Sequence, residues 1–205
     1  MTSLKFLILF ILIIPINSFA GIYEFDFDFG YNSQKYGVNR QNSVMSRNYS
    51  YGISVYLFDL TAINFNVSND QDITTQNDRY TVATSLDVIS QQNRVKTDVY
   101  GVGIKQMLAG RNSRIVPTIS VGYAKESVTS SGDITVENTI TNAHTVFNLT
   151  QTKQKYNSVT GSFALQLKLT ERFSLKGSVQ TLFPAFEFNK AKDNLKYLVG
   201  FAWIF

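Results

Sequence analysis

Histidine and cysteine side chains carry much of protein catalysis, and this sequence contains one histidine and no cysteine. His144 is followed by Thr145 and Val146, so no serine or cysteine nucleophile stands beside it. A catalytic imidazole needs a nucleophile and an orienting acid nearby. Because His144 lies in a long polar segment, 126–154, we expect a solvated loop histidine and no enzymatic activity.

Metal binding has equally little support in the pattern of residues. Without cysteine, thiolate sites are excluded, and one imidazole cannot build a histidine cluster. Asp70, Asp72 and Asp78 lack the spacing of a calcium-binding EF-hand loop. We therefore expect these acids to be solvated loop charges, and we expect no metal site and no cofactor.

The first acids after the N-terminal segment stand in strict alternation with aromatic residues. Glu24, Asp26 and Asp28 alternate with Tyr23, Phe25, Phe27, Phe29 and Tyr31. Successive side chains of a β-strand point to opposite faces, so the aromatic rings share one face and the carboxylates share the other. Such an apolar, aromatic face is typical of a strand that is exposed to lipid, with its polar side facing a barrel lumen.

The same alternation recurs seven more times, and each segment is about as long as a tilted strand that crosses a bilayer. It therefore predicts an all-β, transmembrane, antiparallel up-and-down barrel of eight strands. The aromatic composition, with 16 Phe and 11 Tyr beside 3 Pro, agrees with strands. The eight predicted strands cover 23–31, 48–58, 61–69, 96–106, 114–124, 157–169, 173–183 and 194–205.

The connections between these segments alternate in length, as they do in outer-membrane barrels but need not do in a soluble sandwich. Short turns are predicted at 59–60, 109–112 and 170–172. Longer polar loops are predicted at 33–47, 70–94, 126–154 and 184–193. The partly alternating stretches 79–89 and 126–154 predict either strands that extend beyond the membrane as a protruding sheet or two additional membrane strands, which would make ten.

Rings near the ends of the predicted strands form two girdles on the lipid face, as expected at the two membrane interfaces. Phe173, Trp203 and Phe205 fall at the periplasmic end. At the outer end fall Tyr31, Tyr49, Tyr51, Tyr100, Tyr123 and Tyr197.

Charged residues with inward parity predict a network inside the lumen. An eight-stranded barrel has room inside for little beyond side chains, so opposite charges from facing walls should pair. We expect a structural plug of salt bridges and water, with a narrow, gated ion path as the alternative. The predicted network consists of Glu24, Asp26, Asp28, Lys105, Lys168, Lys176 and Lys196.

The N-terminal segment predicts export. Lys5 precedes an apolar run too short to span a bilayer, and Ser18-Phe19-Ala20 has the small-x-small pattern of a cleavage site. We expect residues 1–20 to be a cleaved signal peptide and 21–205 to be one barrel domain. The net charge of +4 is modest and dispersed, and no nucleic-acid partner is expected.

The last strand carries a resemblance to a known family. Its outward residues are Tyr197, Val199, Phe201, Trp203 and Phe205. They resemble the terminal signal strand of bacterial outer-membrane proteins, which the barrel assembly machinery recognises. With eight strands, the chain resembles the small OmpA/OmpX/OmpW-like superfamily. This resemblance implies a Gram-negative outer-membrane location but no particular activity.

Two differences from other outer-membrane barrel proteins narrow the range of expected functions. Lipid A deacylases use a His-x-Ser pair, which His144-Thr145-Val146 does not match. No segment is left over for a periplasmic peptidoglycan-binding domain, so we do not expect a peptidoglycan anchor. We expect a non-enzymatic barrel with a structural or adhesive role, a narrow channel for ions or small solutes as the alternative, and a lipid-modifying enzyme as the weakest possibility.

The expected partners follow from the location. They are outer-membrane lipids and lipopolysaccharide, the barrel assembly machinery through the C-terminal strand, and an extracellular partner through loops 70–94 and 126–154.

Overall fold

The computed structural model describes residues 22–185 and 194–205. The predicted signal segment, 1–20, and most of the predicted loop 184–193 lie outside these described residues. Among the residues that are described, no helix is long and apolar enough to cross a bilayer.

The described residues form one antiparallel sheet that closes on itself. Each strand pairs with its neighbours in the chain, except that β3 pairs with β5, and β1 pairs with β9 to close the circuit. A single 3-10 turn, Val38–Arg40, connects the first two strands. The strands are β1 Ile22–Tyr36, β2 Asn42–Tyr56, β3 Thr61–Gln76, β4 Tyr80–Ala83, β5 Leu86–Met107, β6 Ile115–Asn138, β7 His144–Lys168, β8 Phe173–Pro184 and β9 Leu195–Ile204.

Eight of these strands form the barrel, which confirms the predicted count. The ninth, β4, is four residues long and pairs with the start of β5. The alternative of ten membrane strands is therefore wrong. Segment 79–89 forms β4 and the beginning of β5, and segment 126–154 continues β6 and begins β7.

The pairing register sets the tilt of the strands. Following directly paired residues from Tyr123 through β7 leads to Phe183 in β8, while the opposite circuit reaches β8 at Phe173, ten positions away. A shift of ten residues over eight strands corresponds to a tilt of about 40°. The longer circuit runs Tyr123, Val102, Phe65, Ile53, Phe25, Trp203 and Phe173.

The outer face of the barrel is apolar and the inner face is polar. Phe65, Ile104 and Val121 are 54%, 62% and 63% exposed on the outside. Water would solvate such a continuous apolar band poorly, whereas acyl chains solvate it well. The exterior therefore faces lipid.

The tilt brings the outer tyrosines to one level. Moving by one strand at constant height shifts the position by about 1.25 residues, because ten residues are distributed over eight strands. By this rule Tyr31, Tyr49, Tyr100, Tyr123 and Tyr197 share a level, and all are exposed on the outer face. We call these five residues the tyrosine girdle. Tyr51, also predicted to belong, lies two residues closer to the membrane centre.

The rings predicted at the periplasmic end pack against one another there. The ring centroids of Phe173 and Trp203 are 6.0 Å apart with their edges meeting, and those of Tyr23 and Phe205 are 6.1 Å apart and stacked. Both arrangements are favourable for aromatic pairs.

Three strands are much longer than a membrane crossing requires. β5, β6 and β7 contain 22, 24 and 25 residues, while β8 and β9 contain 12 and 10. Since about 9–11 residues span the hydrocarbon, roughly half of each long strand stands outside the membrane. The alternative of a protruding sheet is confirmed, and much of the polar segments 70–94 and 126–154 is strand, not loop.

We predict that Gly200→Ala destabilises the barrel by about 3 kcal/mol or more, because the chain cannot accept a side chain there. A Cβ atom at Gly200 would lie 1.8 Å from the carbonyl oxygen of Phe27, at the β9–β1 contact that closes the sheet. Urea unfolding of the barrel reconstituted in lipid vesicles measures this loss.

Gly177→Ala is the matched control, since a Cβ atom at Gly177 of β8 would meet nothing within 4 Å. Equal unfolding midpoints for the two variants would contradict the close approach at Gly200.

Candidate functional site

Five of the seven predicted lumen residues form one connected network. Lys105 of β5 donates to Glu24 Oε1 at 2.9 Å and to Asp26 Oδ2 at 2.8 Å. Lys176 of β8 donates to Asp26 Oδ1 at 3.1 Å and to Asp28 Oδ2 at 2.8 Å. All five side chains are at most 10% exposed. The strand alternation of β1 aims its three acids inward, and the closed sheet brings the two lysines from other strands opposite them.

Two neutral side chains complete this network, and sequence reasoning missed both. Gln166 Nε2 donates to Glu24 Oε1 at 2.7 Å, and the hydroxyl of Tyr56 donates to Glu24 Oε2. The alternation of the predicted strands already placed Gln166 and Tyr56 on the inward face, and this could have identified them. Three carboxylates against two ammonium groups leave the cluster with one negative charge, which such neutral donors help to stabilise.

The remaining two predicted lumen lysines lie elsewhere. Lys168 is at the periplasmic rim, where its ammonium donates to the backbone carbonyl of Arg111. Lys196 of β9 pairs with Asp70 near the outer end of the lumen.

The prediction that Asp70 is a solvated loop charge is wrong. It is 5% exposed, and its carboxylate accepts from Asn48 as well as from Lys196. The reason is that β3 continues to Gln76, beyond the predicted end at 69, and even-numbered residues of this strand face the lumen.

An apolar layer closes the periplasmic end of the lumen. Tyr56, Ala62, Met107 and Val116 are buried against one another with exposures of 5%, 1%, 1% and 0%. Arg111 covers this layer, since its guanidinium carbon lies 4.6 Å from the centroid of the Tyr56 ring and its Nε donates to the carbonyl of Asp59 at 2.8 Å. We call the four buried residues the periplasmic seal.

Outward of the salt bridges lies a polar cavity of about 60 Å³. This volume has room for about four water molecules. Hydroxyl and amide groups such as those of Ser50, Asn64 and Ser162 line it together with Asp28. Asp28 Oδ1 has no hydrogen-bond partner among the residues that the structure describes. The arrangement favours a small hydrated pocket above a sealed floor.

Outside the membrane, β7 has an open edge. Residues 144–149 and 152–157 pair with β6 on one side, with a bulge between them. All of 144–157 are exposed and meet no strand on the other side within the described ranges. The carbonyl of Asn157 accepts from Ala185 on the β8 side. Alternate residues of a strand direct their backbone groups to the same side. The backbone groups of Lys155 and Lys153 therefore point towards the open edge.

A cluster of charges fastens β4 to the protruding sheet. Arg79 bridges Asp87 and Glu137, with 2.7 Å from nitrogen to oxygen in both pairs, and Thr81 donates to Asp87 at 2.8 Å. His144 is exposed, as predicted, but it begins β7 instead of lying in a loop, and its Nε2 lies 3.5 Å from Glu137. The hydrogen bond from Arg79 lowers the pKa of Asp87, and the same contact raises the pKa of Arg79.

The C-terminal strand closes the barrel. Phe201 packs between Phe27 and Phe173, with ring centroids at 5.4 Å and 5.8 Å, while Tyr197 and Val199 are exposed on the outer face. Recognition of this strand by the assembly machinery stays a prediction.

Comparisons with known proteins agree with this geometry. No family model matches the sequence, and no curated protein matches it either. The N-terminal β-barrel domain of Pseudomonas aeruginosa OprF is similar in structure, with 12% identity, 90% of this chain and 97% of that chain covered, and a TM-score of 0.51. The chain has the fold of the small outer-membrane β-barrels. A closed barrel of this fold with a lipid-facing exterior is located in the bacterial outer membrane.

Two further solved structures are similar at lower TM-scores. OprG from Pseudomonas aeruginosa has 11% identity, with 90% of this chain and 95% of that chain covered, at a TM-score of 0.48. Ail, the attachment invasion locus protein of Yersinia pestis, has 9% identity, with 90% and 97% covered, at 0.41.

We predict that Lys105→Met destabilises the barrel by about 3–5 kcal/mol, because it leaves Glu24 and Asp26 buried without their shared counterion. Urea unfolding in vesicles measures the loss, and adding Glu24→Gln should restore part of it. Lys96→Met is the matched control. Both side chains of its ion pair with Asp98 are exposed, at 55% and 37%, so its loss should cost about 1 kcal/mol or less. Equal losses for the two lysines would contradict a buried network at Lys105.

We also predict that β4 detaches from the protruding sheet in acid. Because the folded pKa of Asp87 lies below its ordinary value of 3.8, the ion pair stabilises the hairpin above pH 3.8 and fails as the pH falls through the lowered pKa. Amide hydrogen exchange of residues 80–88, corrected for intrinsic rates, should rise over that range. Asp87→Asn should remove the transition, and an unchanged transition in this variant would contradict the assignment.

Proposed function

We propose that this outer-membrane barrel is a closed, non-enzymatic protein that presents the outer halves of β5, β6 and β7 to bind an extracellular partner. The observation that carries the proposal is the edge of β7 at 144–156, whose backbone groups on the side away from β6 have no partner strand among the described residues. An exposed edge strand is a ready template for an added strand, which gains main-chain hydrogen bonds.

The closed lumen supports a binding role over the channel alternative. A conducting path would have to pass the periplasmic seal, in which Met107 and Val116 are 1% and 0% exposed. It would also have to break the contacts of Lys105 with Glu24 and Asp26. Breaking a buried ion pair costs several kcal/mol, so a resting state that conducts is disfavoured.

The surroundings of the histidine support a non-enzymatic role. His144 is more than half exposed, and its ion-pair neighbour is Glu137. The neighbouring residues Thr145 and Val146 are also exposed. An exposed imidazole without an adjacent nucleophile has no means of starting acyl transfer.

Long strands outside the membrane also need a reason. Ordering backbone in water costs conformational entropy that lipid contacts do not offset there. The salt bridges from Arg79 to Asp87 and Glu137 and from Arg94 to Asp133 help to hold the sheet in one shape. A rigid sheet loses less entropy when it binds a partner than a flexible loop would.

We expect Lys153→Pro to abolish binding through the β7 edge while leaving the barrel folded. Proline removes one backbone donor from the open side and retains the β6–β7 ladder, since residue 153 does not donate to β6. The measurement is adhesion of bacteria that display the full chain to epithelial cell monolayers. Replacing 133–148 by a two-residue Asn-Gly turn should remove adhesion as well.

The matched control is Lys153→Gln, which removes the same charge but retains the backbone donor. Full adhesion by the proline variant, or equal loss in the glutamine variant, would overturn binding by strand addition.

A further inference from the structure

Three lysines stand together on the outward face of the long strands, just beyond the membrane. In the pairing register, Lys125 of β6 lies opposite Tyr100, and Lys155 of β7 lies opposite Ser127, two residues along β6 from Lys125. Lys96 of β5 lies opposite Thr129, which is four residues along β6 from Lys125. We call Lys96, Lys125 and Lys155 the interfacial lysine cluster.

Strand parity puts the cluster on the outer surface. Tyr123 is outward and belongs to the tyrosine girdle, so Lys125, Ser127 and Thr129 of the same strand are outward too. Directly paired residues share a face, and this assigns Lys155 and Lys96 to the same side. Lys125 and Lys155 are diagonal neighbours, about 7–8 Å apart at Cα.

The tilt gives the height of each lysine above the tyrosine girdle. Moving two residues along a strand that is tilted by about 40° changes the height along the membrane normal by about 5 Å. Lys125 is two residues beyond Tyr123 and stands about 5 Å above the girdle. Lys96 is four residues beyond Tyr100 and stands about 10 Å above it, and the register puts Lys155 at the same level.

Lys125 stands within the polar layer of a bilayer, and the backbone of Lys96 and Lys155 stands a few ångströms beyond it. The headgroup region occupies about 5–7 Å on each side of the hydrocarbon core, and aromatic girdles mark its inner limit. A lysine side chain carries its ammonium on four methylenes and can reach down along the strand surface towards this layer. All three ammonium groups therefore have access to lipid headgroups.

The cluster is short of acidic partners. Within the part of the chain that the structure describes, Lys125 and Lys155 form no ion pair, and Lys96 has one loose contact, 3.6 Å from its Nζ to Asp98 Oδ1. The acid next to Lys125, Glu126, faces inward and accepts from Ser158. In contrast, Arg94 farther out is paired with Asp133 at 3.0 Å. Asp98 lies opposite Ser127, in the same paired row as Lys155, and is the one outward acid that the structure describes among the three lysines, so an excess of positive charge remains at this height.

We propose that the interfacial lysine cluster binds the phosphate groups of outer-leaflet lipid headgroups. Each lysine near an anionic membrane surface raises the lipid affinity by up to about tenfold. Several lysines together can select a multiply phosphorylated headgroup. Phosphate oxygens accept charge-assisted hydrogen bonds from ammonium groups. The bound lipid forms part of the support for the three long strands where they leave the membrane.

This site uses different groups from the proposed binding edge, although Lys155 contributes its side chain to the one and its backbone to the other. The cluster uses outward side chains at headgroup height, whereas the β7 edge uses backbone groups that point along the sheet. The proposal therefore survives if adhesion fails, and adhesion survives if lipid binding fails.

The test is a titration of the purified full chain, in uncharged maltoside micelles, with diphosphorylated lipid A. Bound lipid is counted by native mass spectrometry. The double variant K125Q/K155Q should bind about 30-fold more weakly, because it removes two interfacial cations. The conservative variant K125R/K155R should bind as the unaltered protein does, since guanidinium also pairs with phosphate.

Two controls separate this site from general attraction. R114Q/R172Q removes two exposed cations at the opposite, periplasmic rim and should leave the affinity unchanged. Lipid A from which both phosphates have been removed should bind to the unaltered protein as weakly as diphosphorylated lipid A binds to K125Q/K155Q.

Four outcomes would overturn the proposal. The first three are equal affinity of K125Q/K155Q and the unaltered protein, an equal loss of affinity in R114Q/R172Q, and undiminished binding of dephosphorylated lipid A. Displacement of the lipid by equimolar inorganic phosphate would also overturn it, since the site would then be one for the free anion. Urea unfolding in vesicles confirms that each variant is folded.

Discussion

Within hydrocarbon, every backbone N–H and C=O group must find its partner in the protein, and the other features of this barrel depend on that constraint. Pairing of β1 with β9 meets it by removing the last two edges of the sheet. Once the sheet is closed, strand alternation decides everything at its surfaces. One face must be apolar for lipid, and the other can be as polar as its own pairing permits.

The size of the closed circuit then determines what the interior can hold. Eight strands with a shift of ten residues leave space for side chains and a few waters. Charges in so narrow a space must be paired, and the lysines of β5 and β8 reach across to the acids of β1. The apolar residues at the periplasmic end complete a floor beneath these salt bridges.

Outside the membrane the same strands obey a different rule. Water satisfies free backbone groups, so β7 can have an edge that no described strand covers, and the strict lipid-facing alternation is no longer required. The rigid barrel fixes the orientation of this sheet, and the tyrosine girdle fixes its depth. The proposed partner-binding edge and the proposed headgroup site therefore use different groups, backbone in one and outward side chains in the other, on three continuous strands.

Sequence alone was enough for the eight barrel strands, because the lipid-facing side of each one must be apolar at every second position. It was also enough for the inward direction of Glu24, Asp26, Asp28, Lys105 and Lys176, since parity follows from the same pattern. It did not determine where strands end in water, because pairing there needs no apolar face, and Asp70 was misassigned for that reason.

Tertiary structure decided which inward residues meet. The register carries Lys105 to Glu24 and Asp26 across 79 to 81 positions of chain, and local sequence contains no information about that offset. The same holds for Gln166 and Tyr56 on Glu24 and for the periplasmic seal. It also holds for the edge of β7, which is open among the described residues because β8 is shorter than its neighbour. Alternation is a property of each strand by itself, whereas register and relative length are properties of the closed sheet.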